Sequence, residues 1–306
     1  ITGVLYNSIY KSDGVAIQNS AEAVNFLYQH SKVKFLSNAK GNSNRNVAKR
    51  LQRLGIDVRE EDVITPAPVV AQYCRENSLR PHLFVRDDVL EYFDGIDTAS
   101  PNCVVMGEVE EGFSFERINR AFRILIDMPK PLLITMGNGK FFQRVDGPCI
   151  DVGAFAAALK FSTNCEVLNI GKPSHFYFEQ GINALGLKPE EIVMVGDDLM
   201  SDVGGAQACG MRGIQVRTGK YRPDFDNLPV KPDLTVDTLY DAVKLIADNG
   251  FRFTILITNH QKNLQSSIKF ARSRKKQLRF PRFPSLATAG QQQMKEKRNR
   301  KTTTTP

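Results

Sequence analysis

Through the first 250 residues the apolar positions alternate between two periods. Runs at 33–36, 82–85, 103–106, 132–135, 167–170 and 192–195 are short, rich in apolar residues and bounded by turn residues, the pattern of buried strands. Between them the spacing becomes that of amphipathic helices. Ala21, Val24, Leu27 and Tyr28 share one face, with Asn19 or Ser20 as N-cap, and Val47, Leu51 and Leu54 share another that Gly55 closes. Helical patterns follow over 69–75, 115–127 and 152–161. Phe178, Ile182 and Leu185 mark a further helix that begins at Ser174 and stops near Gly186. Ahead of the first helix, residues 3–10 and the turn sequence Lys11-Ser12-Asp13-Gly14 predict a hairpin or flap. Breaks at Pro and Gly become denser after Pro66, and the simpler alternation resumes at Val167. A second α/β unit is therefore predicted over 66–166, inserted into a unit made of 1–65 and 167–250.

Such alternation implies an α/β fold with a mostly parallel sheet covered on both faces, and ligands sit at the carboxyl ends of such strands. That rule gathers three loops: Ser37-Asn38, Lys172, and the run from Asp197 to Asp202. In the last, a strand breaks at Gly196 and delivers Asp197, Asp198 and Asp202 just before the helix-compatible stretch 203–209. Mg²⁺ needs one or two carboxylates on a rigid element, completed by water and phosphate, whereas the EF-hand spacing is absent. Taken singly, the ordinary readings are an acidic turn, a turn serine and a surface lysine. Together they supply a phosphoryl site with a hydroxyl and an amide for nonbridging oxygens, an ammonium for developing charge, and carboxylates for a metal.

Composition adds bounds. Hydrophobic residues at 42% and charged residues at 24% are ordinary for a globular protein. The five cysteines, Cys74, Cys103, Cys149, Cys165 and Cys209, form no Cys-x-x-Cys pair, which argues against a zinc site or disulfide frame and for a reducing compartment. The net charge of +8 resides in the tail: residues 251–306 carry 14 Lys and Arg against one Glu, leaving residues 1–250 at −5. That tail is predicted to be disordered, and reads either as a phosphate-attracting arm or targeting run or as translated non-coding sequence. Gly137-Asn138-Gly139-Lys140 lacks the spacing of a phosphate-binding loop and reads as a turn. His175 reads as a helix-surface residue near the Lys172 loop.

The ordered segments Thr2-Gly3-Val4-Leu5-Tyr6, Leu36-Ser37-Asn38, Gly171-Lys172-Pro173-Ser174 and Gly196-Asp197-Asp198 with Asp202 resemble the four motifs of the haloacid dehalogenase-like phosphatases. The insertion between the second and third resembles the cap of the α/β-capped subgroup that includes 4-nitrophenylphosphatase-like enzymes. Thr65-Pro66-Ala67-Pro68, Ile150-Asp151-Val152-Gly153 and the stretch 216–223 extend the likeness over residues 1 to about 250. It implies a Rossmann-like parallel-sheet core with an inserted α/β cap, Mg²⁺ as cofactor, and a phosphorylated small molecule or phosphoprotein as substrate. It further implies a homodimer with no membrane association, located in the cytoplasm and extending to the nucleus. Nucleic acid would be met only through the basic tail.

The resemblance also assigns roles. Thr2, through its carbonyl, and Asp197 would bind the metal; Ser37, Asn38, Thr2 and Lys172 would contact substrate; Lys172 and Asp202 would act in catalysis, with Asp198 in support. The family's nucleophilic aspartate falls immediately before Ile1, so the chain beginning at Ile1 is expected to be inactive while a parent carrying that aspartate is a phosphatase. Many relatives carry Asp where Thr2 stands, as acid for the leaving group. A hydroxyl is a far weaker acid, which favours good leaving groups: pyrophosphate, and phosphoramidates such as phospholysine and phosphohistidine. A noncatalytic phosphate binder and a phosphomonoesterase of the 4-nitrophenylphosphatase type are the alternatives.

Overall fold

The computed structural model describes residues 1–9, 12–144, 147–223 and 228–248. The predicted basic tail, with its nucleic-acid reading, lies outside them. The chain opens with the expected flap, in which β1 (Tyr6–Asn7) pairs antiparallel with β2 (Val15–Ala16). Next come α1 (Ser20–His30), β3 (Phe35–Leu36), α2 (Asn44–Arg53) and β4 (Val63–Ile64), with β3 and β4 parallel. Ser43 caps α2 by accepting from the Asn46 N–H at 3.3 Å. Gly55 takes a left-handed φ of 79° just beyond the helix end, as its position predicts.

The insertion follows as α3 (Pro66–Glu76), β5 (Pro81–Phe84), β6 (Cys103–Met106), α4 (Phe115–Ile126), β7 (Leu132–Thr135), β8 (Phe141–Arg144), β9 (Gly147–Ile150), α5 (Val152–Thr163) and β10 (Glu166–Asn169). Its sheet is parallel throughout, in the order β10-β7-β6-β5. Because β6 is central, all four of its residues are buried: Val104 and Met106 pack under α4 and α5, Cys103 and Val105 against α3 and α6 (His175–Leu185). An unbroken apolar run, rather than an alternating one, is what burial on both faces demands.

One boundary moves. Residues 167–170 were expected to begin the return to the first unit, yet β10 pairs with β7 from Glu166↔Leu132 to Asn169↔Thr135. The expected division at 166/167 therefore falls inside a strand of the inserted sheet, and the return comes at Ile170–Lys172. A lone apolar run carries no mark of which sheet it will join.

After α6 come β11 (Val193–Gly196), a π-helical turn over Leu199–Gly204, α7 (Gly205–Ala208), β12 (Arg212–Val216), β13 (Leu234–Val236) and α8 (Leu239–Asp248). Strands β11, β12 and β13 form a parallel ladder in that order. They share one apolar core with β3 and β4: Phe35, Val63, Ile214 and Val216 pack with Val24 of α1, Leu51 of α2 and Val243 of α8. This gives the α/β architecture expected, with the ends of β3, β10 and β11 feeding one cleft. Among the described residues, no helix is long and apolar enough to cross a membrane.

Candidate functional site

The three loops meet in a cleft of about 1050 Å³, which is also lined by Thr2, Tyr6 and the inserted unit. Lys172 stands at its centre and is buried. Its ammonium lies 2.8 Å from Asp202 Oδ1 and donates to the Leu36 carbonyl at 3.0 Å. An ammonium has three donors, so one remains for a ligand. Lys172 and Asp202 are thirty residues apart and meet from different sheets, Lys172 on the loop after β10 and Asp202 on the turn after β11.

Asn38 takes a positioning role that the sequence did not predict. Its side chain donates to the Lys172 carbonyl at 3.1 Å and accepts from the Lys172 N–H at 2.9 Å. One N–H and the oxygen of the amide are engaged by the lysine backbone, beside the cis Lys172–Pro173 bond, and the second N–H stays available in the cleft. Asn38 thus aims the lysine in addition to lining the cleft, and beside it Ser37 Oγ accepts from the Ala39 N–H at 3.2 Å and keeps its own proton to give. Tyr177 of α6 fixes the loop from beneath: its buried hydroxyl lies 2.6 Å from the Ser37 carbonyl and 2.8 Å from that of Ile64.

The carboxylates separate by environment. Asp198 caps the π-helical turn by accepting from the Ser201 N–H at 2.9 Å, and the turn carries Asp202 back toward Lys172. Asp197 is buried, and that burial, with the charge of Asp202 beside it, pushes its pKa up to about 6. Gly3 and Gly219 close on it: a Cβ on either would come within 2.2 Å of Asp197 Oδ2. Lys220, which sequence reasoning did not single out, donates its N–H to Asp197 Oδ2 and its ammonium to Asp198 Oδ2, each at 2.9 Å. Burial pulls the Lys220 pKa down, but Asp198, Asp197 and Asp202 together outweigh it and the net shift is upward. Only its place in a Gly-Lys turn following a strand could have signalled it.

Among the described residues, no three His, Cys, Asp or Glu side chains form a ready cage for a metal. The donor set fits Mg²⁺ nonetheless, since that ion is held by one or two carboxylates with water and phosphate completing its shell. A buried carboxylate made more basic by its surroundings, as Asp197 is, is one a dication would relieve. Thr2 lines the same cleft, its hydroxyl donating to Tyr6 Oη at 3.1 Å. His175 is exposed and faces Glu179 at 3.3 Å on α6, as the surface reading had it.

The inserted unit contributes a second charged group. Lys40, two residues beyond Asn38, donates to both Asp151 oxygens at 2.7 and 2.6 Å, and both side chains are buried. The Gly137-Asn138-Gly139 turn is their bed, because a Cβ on Gly137 would meet Lys40 Cε at 2.4 Å and one on Gly139 would meet Asp151 Oδ2 at 2.1 Å. Asp151 also caps α5, accepting from the Val152 N–H at 2.7 Å. Asp151→Asn should therefore destabilise the protein by about 3–5 kcal/mol, the cost of stranding a buried charge. In urea unfolding, Lys40→Met combined with Asp151→Leu should recover most of that loss; recovery of none would mean the pair is not what holds the two units at this point.

Two family models match the chain. One described as haloacid dehalogenase-like hydrolase covers residues 1–99, and one described as HAD-hydrolase-like covers 169–242. The chain is 45% identical over 249 residues to the phospholysine phosphohistidine inorganic pyrophosphate phosphatase of Danio rerio, covering 81% of this chain and 92% of that protein. The Homo sapiens protein of the same name is 43% identical over 82% of this chain and 93% of its own length. Haloacid dehalogenase-like hydrolase domain-containing protein 2 of Bos taurus is 36% identical, over 76% and 89%. Among solved structures, the 4-nitrophenylphosphatase of Thermotoga maritima superposes with a TM-score of 0.71 at 24% identity, over 80% of this chain and 94% of that one. The p-nitrophenyl phosphatase of Archaeoglobus fulgidus gives 0.69 at 24%, over 80% and 96%. These two speak for the fold.

Proposed function

The chain belongs to the haloacid dehalogenase-like hydrolases, as a phosphatase of that family, and from this premise we propose that it hydrolyses pyrophosphate and phosphoramidates with Mg²⁺. The observation that carries the reading is Lys172, buried between Asp202 and the Leu36 carbonyl with one donor left, in the cleft that Ser37 and Asp197 also line. Asp197 and the Thr2 carbonyl would hold Mg²⁺, which when bound offsets the charge of the phosphoryl oxygens. Ser37 donates its hydroxyl proton to a nonbridging oxygen, and Lys172 meets another. Asp202 holds that ammonium in place, as Asn38 holds its backbone, so little reorganisation is left for the transition state.

The family's covalent route needs a carboxylate at the position immediately before Ile1. Turnover is accordingly assayed with protein that carries an aspartate on its strand immediately ahead of Ile1, the aspartate-extended protein. Substrate preference follows from Thr2. Its hydroxyl is a poor acid and is engaged by Tyr6, which Arg50 Nη1 approaches at 3.4 Å. The aspartate-extended protein should therefore favour pyrophosphate and phospholysine over glycerol phosphate by about 10² in kcat/KM, the scale of general acid help. Thr2→Asp should raise the glycerol phosphate rate selectively. Equal rates on all three substrates, unchanged by Thr2→Asp, would count against the reading.

A further inference from the structure

We propose that Glu108 reads the non-phosphoryl half of the substrate, and that this half carries a positive charge. The inference rests on the phosphatase reading of the same cleft and goes beyond it in naming what the inserted unit selects.

Glu108 lines the cleft two residues beyond the end of β6. Four charged groups surround its carboxylate: Lys40, Asp151, Glu110 and Arg86. Lys40 is committed to both oxygens of Asp151, and Arg86 Nη1 lies 3.5 Å from Glu110 Oε2. The charges in those pairs cancel, and Glu108 is left over. Among the described residues its carboxylate has neither a hydrogen bond nor an ion pair, so this part of the cleft presents a single uncompensated negative charge. Burial, more than any neighbour, pushes the Glu108 carboxyl above the usual carboxylate range, with Lys40 partly offsetting it. A half-buried carboxylate in that condition gains most from a cation, and an anionic group placed there would meet repulsion.

The backbone fixes where the group stands. A Cβ on Gly107 would lie 2.7 Å from the Lys40 carbonyl, and one on Gly41 would lie 2.6 Å from the Glu108 carbonyl. The two loops are in direct main-chain contact, so Glu108 is held at a set place relative to Ser37 and Lys172. A phosphoramidate whose amine-bearing chain continues to an ammonium spans these two charged regions in the complementary sense, with phosphoryl oxygens at Lys172 and ammonium at Glu108.

The test uses a matched pair of ligands that differ only in that charge, N-phosphoryl-1,5-diaminopentane and N-phosphorylpentylamine, with pyrophosphate as reference. With the Mg²⁺-loaded, aspartate-extended protein, the diamine derivative should be preferred about tenfold in KM, the worth of a charge-assisted contact. Glu108→Gln should erase that preference through KM, leave kcat within about twofold, and leave the pentylamine derivative unchanged. Glu108→Lys should reverse the preference and lower KM for pyrophosphate. No preference in the parent, or equal losses on all three ligands in both variants, would overturn the inference while leaving the phosphatase reading intact. Were the parent to turn over none of them, the phosphatase reading would fall, and the ratio of the two binding constants by calorimetry would still decide whether Glu108 reads a cation.

Discussion

Lys172→Met should lower kcat for pyrophosphate by about 10³ in the aspartate-extended protein, since one preorganised donor of this kind is worth about 10²–10³ and Lys172 adds a full charge. It should also cost stability. Lys172 is the cation that Asp202 faces at 2.8 Å, both are buried, and Asp197 lies close enough for the Asp202 charge to raise its pKa. Removing the ammonium strands two carboxylates, at a cost of about 3–5 kcal/mol for the broken pair. Lys172→Met with Asp202→Asn should restore much of the stability and none of the rate. Steady-state kinetics beside urea unfolding separates the two effects. A single variant that kept activity within tenfold would remove Lys172 from the chemistry, whatever its stability.

The second large effect concerns Gly219. Its φ of +57° already disfavours any side chain, and an added Cβ would lie 2.2 Å from Asp197 Oδ2 and 2.6 Å from the Gly3 Cα. Neither neighbour can retreat: Asp197 is held by the Lys220 N–H, and the Gly3 carbonyl accepts from the Thr218 hydroxyl. In Gly219→Ala the methyl group takes the place of the Asp197 carboxylate, so Mg²⁺-dependent turnover should fall by about 10² or more and the Mg²⁺ concentration for half-activity should rise. Gly55→Ala is the control. Its φ of +79° brings the same conformational penalty, about 1–2 kcal/mol, but nothing lies within 4 Å of the added atom. It should lower stability and spare the metal response. Equal Mg²⁺ titrations for the two variants would show that backbone strain alone governs both.

What was legible in the sequence was what local pattern and the strand-end rule could carry. Ser37, Lys172 and Asp197 each stand just past the end of a strand, where ligands of α/β folds are expected, and Asp202 follows Asp197 on the turn after β11. The hidden features depend on distance along the chain. Lys40 and Asp151 are 111 residues apart and neither belongs to a strand or a periodic face. The amide of Asn38 found its partners 134 residues away, in a backbone that no side-chain pattern describes. Lys220 closes the carboxylate cluster from a turn whose meaning depends on where β11 and β12 pair. The β8–β9 hairpin went unread because Phe141, Phe142 and Gln143 show no clean alternation.

The central placement of β6 bears on how such a cleft can change over time. Cys103 to Met106 are held on both faces by apolar packing, and Glu108 emerges just past that anchor. The strand fixes the location of residue 108 through apolar packing in which the Glu108 side chain takes no part. On the proposed role of Glu108, selectivity and the packing that anchors it would be inherited on separate residues, and a single codon would exchange one cargo for another.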